Sequence, residues 1–131
     1  MRDGKRIATH KKKVFIMDKK VFKMFETISA LDAAVTKWHD IAFCDEIDHG
    51  SDDCHLCNMF YDSYSRECTV CPIKLYAGKD DCVNTPYTAW KKCFSLSDYK
   101  YKIKDEESKQ AAIKMYEFVR MIRNKYLQGE L

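Results

Sequence analysis

Apolar residues recur at three- and four-residue steps in two separate parts of this chain. The first stripe follows Asp18 and extends over about six helical turns. Its members are Val21, Phe25, Ile28, Leu31, Val35, Trp38 and Ala42. This spacing places side chains on one face of an α-helix, and aspartate is a favoured N-cap residue. The pattern therefore predicts a long amphipathic helix over Asp18–Ala42.

The second stripe lies near the C-terminal end of the sequence. Its members are Ala111, Ala112, Met115, Phe118, Val119, Ile122 and Tyr126. Asp105 or Ser108 can cap the start of this helix, and Gly129 can end it. We expect a second long amphipathic helix over Ser108–Gln128.

Two shorter helices are predicted between these stripes. Pro72 suits the first helical position, so residues 73–77 should form a short helix that Gly78 ends. Thr85-Pro86 combines an N-cap residue with a proline at the first helical position. This pair should open a second short helix from Tyr87 to Phe94.

These elements predict an α-rich fold with little β-structure. Two long amphipathic helices would flank a cysteine-rich centre. A chain of 131 residues fits one domain and can bury about two-thirds of its unfolded surface. We expect a basic N-terminal arm over residues 1–17 and a single domain over residues 18–131.

Cysteine spacing gives the strongest chemical signal. Cys54/Cys57 and Cys68/Cys71 are both Cys-x-x-Cys pairs, and Cys82 follows within the same stretch. Two such turns can direct four thiolates to one tetrahedral ion. We predict one structural zinc held by the two pairs, with Cys82 as an alternate ligand. An iron–sulfur cluster and a centre without metal are the other interpretations.

Charge is distributed unevenly, although the net charge is only +3. Residues 1–23 carry nine Lys/Arg and two acids, whereas residues 40–90 carry ten Asp/Glu and three bases. Candidate contacts to nucleic acid or to an acidic partner are Lys11, Lys12, Lys13, Arg120 and Arg123. Solvated charge is the competing interpretation for both groups.

No signal-peptide-length apolar run and no membrane-spanning run occur in the sequence. The expected compartment is the cytoplasm, where thiols stay reduced. Cys44 and Cys93, outside any pair, are then expected to be small buried hydrophobic residues. His39 is expected to be structural. The acidic loop 44–53 could hold magnesium or calcium, but it lacks EF-hand spacing and is better interpreted as solvated.

The chain resembles a family of small bacteriophage and prophage proteins over residues 28–125. The resemblance rests on both cysteine pairs, on Pro72-Ile73 after the second pair, on the lone Cys82, and on Thr85-Pro86-Tyr87 with Trp90. A preceding tryptophan, Trp38, also fits. The chain departs from the family at residues 76–78, where Thr-Gly is more usual, and in its longer basic N-terminus. The resemblance implies metal binding and a phage origin, but it supplies no activity.

Function is predicted in three forms. The first is a phage-encoded interaction protein that binds and modulates a host macromolecule in the host cytoplasm, most simply a host protein, as a possible anti-defence or host-takeover factor. Four thiolates would close the zinc coordination shell, and no catalytic motif accompanies them, so no enzyme activity is expected. The alternative is a DNA- or RNA-binding zinc module. An enzyme that uses Cys82 or a metal in the acidic loop is the third.

Overall fold

The computed structural model describes residues 19–62, 67–68, 71–77 and 85–131, with the backbone alone for residues 51, 61, 62, 67 and 68. In chain order its helices are α1 (Lys19–Phe43), a 3-10 turn (Gly50–Asp53), α2 (His55–Phe60), α3 (Pro72–Ala77), α4 (Pro86–Lys92) and α5 (Glu106–Leu127). Two short strands, β1 (Tyr61–Asp62) and β2 (Glu67–Cys68), pair between α2 and α3. The predicted α-rich fold, with two long helices and little β-structure, is confirmed.

Helices α1 and α5 pack antiparallel to each other. Arg123 on α5 pairs with Asp32 on α1, whereas Tyr116, two turns earlier on α5, contacts His39 and Phe43 further along α1. Their facing sides form the core, together with residues of α2, α3 and α4. Its most deeply buried side chains include Leu31, Ile41, Leu56, Trp90, Val119 and Ile122.

The predicted stripe on α1 is correct in its centre and wrong at its start. Val21 and Phe25 are 43% and 66% exposed. The residues that α1 buries are Thr27, Ala30, Leu31, Ala34, Trp38, Ile41 and Ala42. Since Arg123 pairs with Asp32 and α5 ends at Leu127, we infer that the first two turns of α1 extend beyond the end of their partner. Among the described residues, α5 does not cover those turns, and Lys23 in them lies over the Phe60 ring of α2, 5.3 Å from its centroid.

The N-caps predicted for α4 and α5 are confirmed, whereas Asp18 and Gly78, predicted to cap α1 and to end α3, lie outside the described residues. Thr85 accepts a hydrogen bond from the Tyr87 N–H at 3.2 Å, and Pro86 occupies the first turn of α4. Asp105 caps α5 and accepts from the Ser108 N–H at 2.8 Å, while the Ser108 side chain completes a capping box. Gly129 follows α5 with φ of +76°, a conformation that favours glycine.

The predicted boundary between an arm over residues 1–17 and a domain over residues 18–131 falls outside the described residues and stays a prediction. Within the described ranges, none of the helices combines the length and the apolar character needed to cross a membrane.

Candidate metal centre

The first cysteine pair lies at the start of α2. The Cys57 N–H donates a hydrogen bond to the Cys54 Sγ atom at 3.2 Å, and the Cys54 carbonyl accepts from the Asn58 N–H at 3.0 Å. Hydrogen bonding from Cys57 lowers the pKa of Cys54 to about 7, against burial that acts in the opposite direction. Cys54 is therefore ready to act as a thiolate, the form in which cysteine binds metals.

The second cysteine pair links β2 to α3. Cys68 ends β2, and Cys71 directly precedes Pro72, the first residue of α3. Cys71 is buried, and its carbonyl accepts a hydrogen bond from the Leu75 N–H at 2.9 Å. Proline at the first helical position sets this turn without losing a helical hydrogen bond.

Strand pairing brings the two cysteine pairs to the same end of the molecule. Tyr61, four residues after Cys57, is the antiparallel partner of Cys68. Cys54 packs against the same apolar cluster that contains Cys71. Cys82 and the side chain of Cys68 lie outside the described residues. The four-thiolate set therefore stays a prediction, which the backbone topology favours.

A buried carboxylate lies next to the first cysteine pair in the chain. Asp48 is only 5% exposed. One of its oxygens accepts hydrogen bonds from Trp90 Nε1 at 2.9 Å and from the Tyr87 hydroxyl at 3.0 Å. The other accepts from the Gly50 N–H at 2.8 Å and pairs with Lys37 Nζ at 2.9 Å. A buried charge requires such partners, and Asp48 has four.

Lys37 connects this carboxylate to the cysteine centre. Its ammonium also pairs with Asp53 at 2.7 Å. Burial alone would lower the pKa of Lys37, but the charges of Asp48 and Asp53 outweigh it and raise the pKa. The positive charge of Lys37 also favours the Cys54 thiolate. We call Lys37, Asp48, Asp53, Tyr87 and Trp90 the Asp48 network.

The Asp48 network corrects the interpretation of loop 44–53 as solvated. Asp45, Glu46 and Asp52 are exposed, as expected, but Asp48 is buried. The ammonium of Lys37 on α1 neutralises Asp48. This carboxylate is therefore not available as a ligand for magnesium or calcium. The network also gives Tyr87 and Trp90 of the Thr-Pro-Tyr-x-x-Trp sequence a structural role, because both donate to this one carboxylate.

A second group of metal-ligating side chains lies at the C-terminal end of α1. One ligand atom from each of His39, Asp40 and Cys44 lies within 4.8 Å of the others, so the group could hold a metal ion. Cys44 is exposed, which corrects the expectation that it is buried, because the chain leaves the core at Phe43. Cys93 is half-buried and its thiol donates to the Ala89 carbonyl at 3.4 Å.

Two of the basic residues predicted to contact a partner already interact with other residues of this chain. Arg123 pairs with Asp32. Arg120 lies over the Tyr116 ring, 5.4 Å from its centroid. Lys11, Lys12 and Lys13 lie outside the described residues, so the nucleic-acid interpretation stays a prediction.

Tyrosine is a frequent interface anchor, and the sequence offers Tyr61, Tyr64, Tyr99 and Tyr101 for that role. Tyr99 is fully exposed, whereas Tyr101 stacks on Phe94 with ring centroids 4.8 Å apart. Tyr64 and the side chain of Tyr61 lie outside the described residues. Of these four, Tyr99 is thus the one that the described residues show free of ring stacking.

Comparisons with known proteins add no relative. No protein-family model, curated protein or solved structure matches this chain.

Proposed function

We propose that this protein is a small phage-encoded interaction module, that one structural zinc stabilises its cysteine centre, and that it binds a host protein through the exposed start of α1. The zinc ligands in this proposal are Cys54, Cys57, Cys68 and Cys71, with Cys82 as the alternate to one of them. The observation that carries the binding function is an apolar surface on a helix that already has a buried core-facing side.

Zinc binding is supported by how the two cysteine pairs are placed. Each pair begins or precedes a short helix, and the β1–β2 pairing joins them. The short elements α2 and α3 have few residues with which to form a core of their own, and a metal joining them would supply the missing stabilisation. Structural zinc contributes on the order of 10 kcal/mol to folding in small domains.

The binding surface is the outer apolar face of α1, formed by Val21, Phe22, Met24 and Phe25. These side chains are 43%, 58%, 50% and 66% exposed. At 100° per residue they centre roughly 140° around the helix from the residues that α1 buries. Four large apolar side chains on one exposed helix face are typical of a binding surface and costly to leave in water.

Charge around this face indicates what it binds. Lys19 and Lys20 are exposed in the same two turns, and on a helical projection they border the apolar face on opposite sides. An amphipathic helix with anchors at i, i+3 and i+4 docks in apolar grooves of proteins. The partner should therefore offer an apolar groove with an acidic rim, because complementary charge favours encounter and orientation.

A pull-down from host lysate with matched variants tests the binding surface. Phe22→Ser/Phe25→Ser removes the two largest anchors. Leu96→Ser is the control, since Leu96 is fully exposed on a loop outside α1. We expect one protein to be recovered by wild type and control and lost with the α1 variant. That protein should then bind the purified chain directly.

Two results would contradict the proposed binding function. Equal recovery by the α1 variant would show that the outer apolar face is not the binding surface. Recovery that disappears on nuclease treatment, with affinity falling steeply as salt rises, would favour the nucleic-acid alternative.

A further inference from the structure

The last turn of α1 and the residue that follows it carry three chemically different metal ligands that the cysteine centre does not use. His39 Nδ1 lies 3.1 Å from Asp40 Oδ1. One ligand atom from each of His39, Asp40 and Cys44 lies within 4.8 Å of the others. The side chains of His39 and Asp40 are 47% and 39% exposed, so an ion can reach them from solvent.

Backbone geometry holds these three residues together. Asp45 adopts the left-handed region with φ of +61°, which ends the helix. The Asp40 carbonyl then accepts both the Cys44 N–H at 2.8 Å and the Glu46 N–H at 3.2 Å. The turn therefore keeps Cys44 beside Asp40.

Aromatic packing restricts the position of the imidazole. The His39 ring lies 5.3 Å from the Phe43 ring and 5.7 Å from the Tyr116 ring, measured between centroids. Tyr116 belongs to α5, so the ring is fixed by the packing of the two long helices. A ligand with restricted motion loses less entropy when it binds a metal.

We propose that His39, Asp40 and Cys44 form a second zinc site, separate from the cysteine centre. An imidazole nitrogen, a carboxylate oxygen and a thiolate are all ligands that Zn²⁺ accepts in tetrahedral geometry. In such a site the ligand atoms are about 3.3–3.8 Å apart. The exposed side chains of Asp40 and Cys44 can close the remaining gap by rotation. Cys44 binds as the thiolate, and its proton leaves to solvent.

The surrounding charge favours a cation at this position. The Cys44 thiol lies in the field of the Asp40 and Glu46 carboxylates. A divalent ion would neutralise this negative charge. The C-terminal end of a helix adds partial negative charge in the same place.

Three protein ligands leave a fourth coordination position to water or to Glu46. Such a site is open, whereas the proposed four-thiolate centre is closed. The second zinc should therefore exchange faster than the first and should not be required for folding.

Cobalt titration of the reduced, zinc-loaded full chain tests this site. Co²⁺ is the probe, since thiolate coordination gives it a charge-transfer absorption. The test variant is His39→Ala/Cys44→Ser. The control is His49→Ala/Cys93→Ser, which removes an exposed histidine and a half-buried cysteine elsewhere. Helical content measured on each variant shows that it remains folded, and Asp40→Asn offers a milder second variant.

We expect wild type and control to bind one Co²⁺ beyond the resident zinc, with thiolate absorption. In the His39/Cys44 variant the apparent Kd should rise at least about tenfold and the absorption should vanish. Unchanged binding in that variant, or equal loss in the control, would overturn the second site. A Cys57→Ser variant separates the two centres, because it should lose the resident zinc, whereas the His39/Cys44 variant should keep it.

Discussion

Asp48 Oδ2 accepts a hydrogen bond from Trp90 Nε1 at 2.9 Å across 42 residues of sequence. Trp90 is fully buried, and its ring packs edge-on against Trp38 with centroids 5.5 Å apart. The bond therefore fixes α4 to the loop that precedes the first cysteine pair. It makes the Asp48 network the polar link between the helical core and the candidate zinc centre.

Removing the carboxylate should destabilise the protein strongly. Asp48→Ala removes one partner from the buried Lys37 ammonium, one from the buried Trp90 N–H and one from the half-buried Tyr87 hydroxyl. Breaking a buried ion pair from one side typically costs about 3–5 kcal/mol. Urea unfolding at constant zinc concentration measures this loss. Asp52→Ala is the control and should change stability by less than about 0.5 kcal/mol, because Asp52 is exposed. A loss below about 1 kcal/mol for Asp48→Ala would contradict the structural role of the network.

The coupling between Lys37 and Asp48 can be isolated with a double-mutant cycle. The variants are Lys37→Met, Asp48→Asn and the double variant. Residues in direct contact show interaction energies of about 0.5–3 kcal/mol, so the double variant should be less destabilised than the sum of the single ones. Additive losses would show that the 2.9 Å pair contributes no coupling.

The outer apolar face of α1 should be dispensable for folding. Phe22→Ser/Phe25→Ser should change the free energy of unfolding by less than about 1 kcal/mol, since both rings are exposed. Leu31→Ala on the buried side of the same helix should cost about 2–5 kcal/mol. Chemical denaturation of both variants checks the contrast. Similar losses for the two would mean that the first turns of α1 do pack against the core.

Acid should weaken the segment that leads into α5. Hydrogen bonds from the Ser108 backbone and side chain lower the pKa of Asp105 below its ordinary value of 3.8. The Ser95 N–H and then Lys104 lower the pKa of Asp98 in the same way. Both carboxylates therefore contribute stability that is present above pH 3.8 and is lost as the pH falls through the lowered values. Melting temperatures measured from pH 5 downward should fall less steeply in Asp98→Asn/Asp105→Asn than in wild type, and parallel curves would contradict this.

Local sequence signals predicted four of the five α-helices that the described residues form, together with the N-caps of α4 and α5, but they did not predict α2. Thr85, Asp105 and Gly129 act on residues within a few positions of themselves in the chain. Their role can therefore be recognised from the local sequence alone. The start of α1 was misjudged because three- and four-residue steps drift around a helix that turns 100° per residue. Val21 and Phe25 continue the steps of the buried residues but lie on the outer face.

The sites that depend on tertiary structure were not predictable in this way. Asp48 stands among exposed acids, and only its contacts with Lys37 and Trp90, from two other elements, distinguish it. His39, Asp40 and Cys44 do not have the spacing of the common zinc motifs, and the turn at Asp45, with φ of +61°, keeps them together. The sequence signal that could have indicated this group is a histidine and a cysteine five residues apart at a predicted helix end.

The measurement that tests the central claim most directly is the zinc content of the purified, reduced protein, with helical content recorded before and after chelation. We expect one tightly held zinc that survives desalting, and a large loss of helical signal when a strong chelator removes it. Cys54→Ser and Cys71→Ser should lose the same zinc, whereas His39→Ala/Cys44→Ser should retain it. Absence of tightly held zinc, bound iron in its place, or removal of zinc with full retention of helical content would contradict a structural zinc centre.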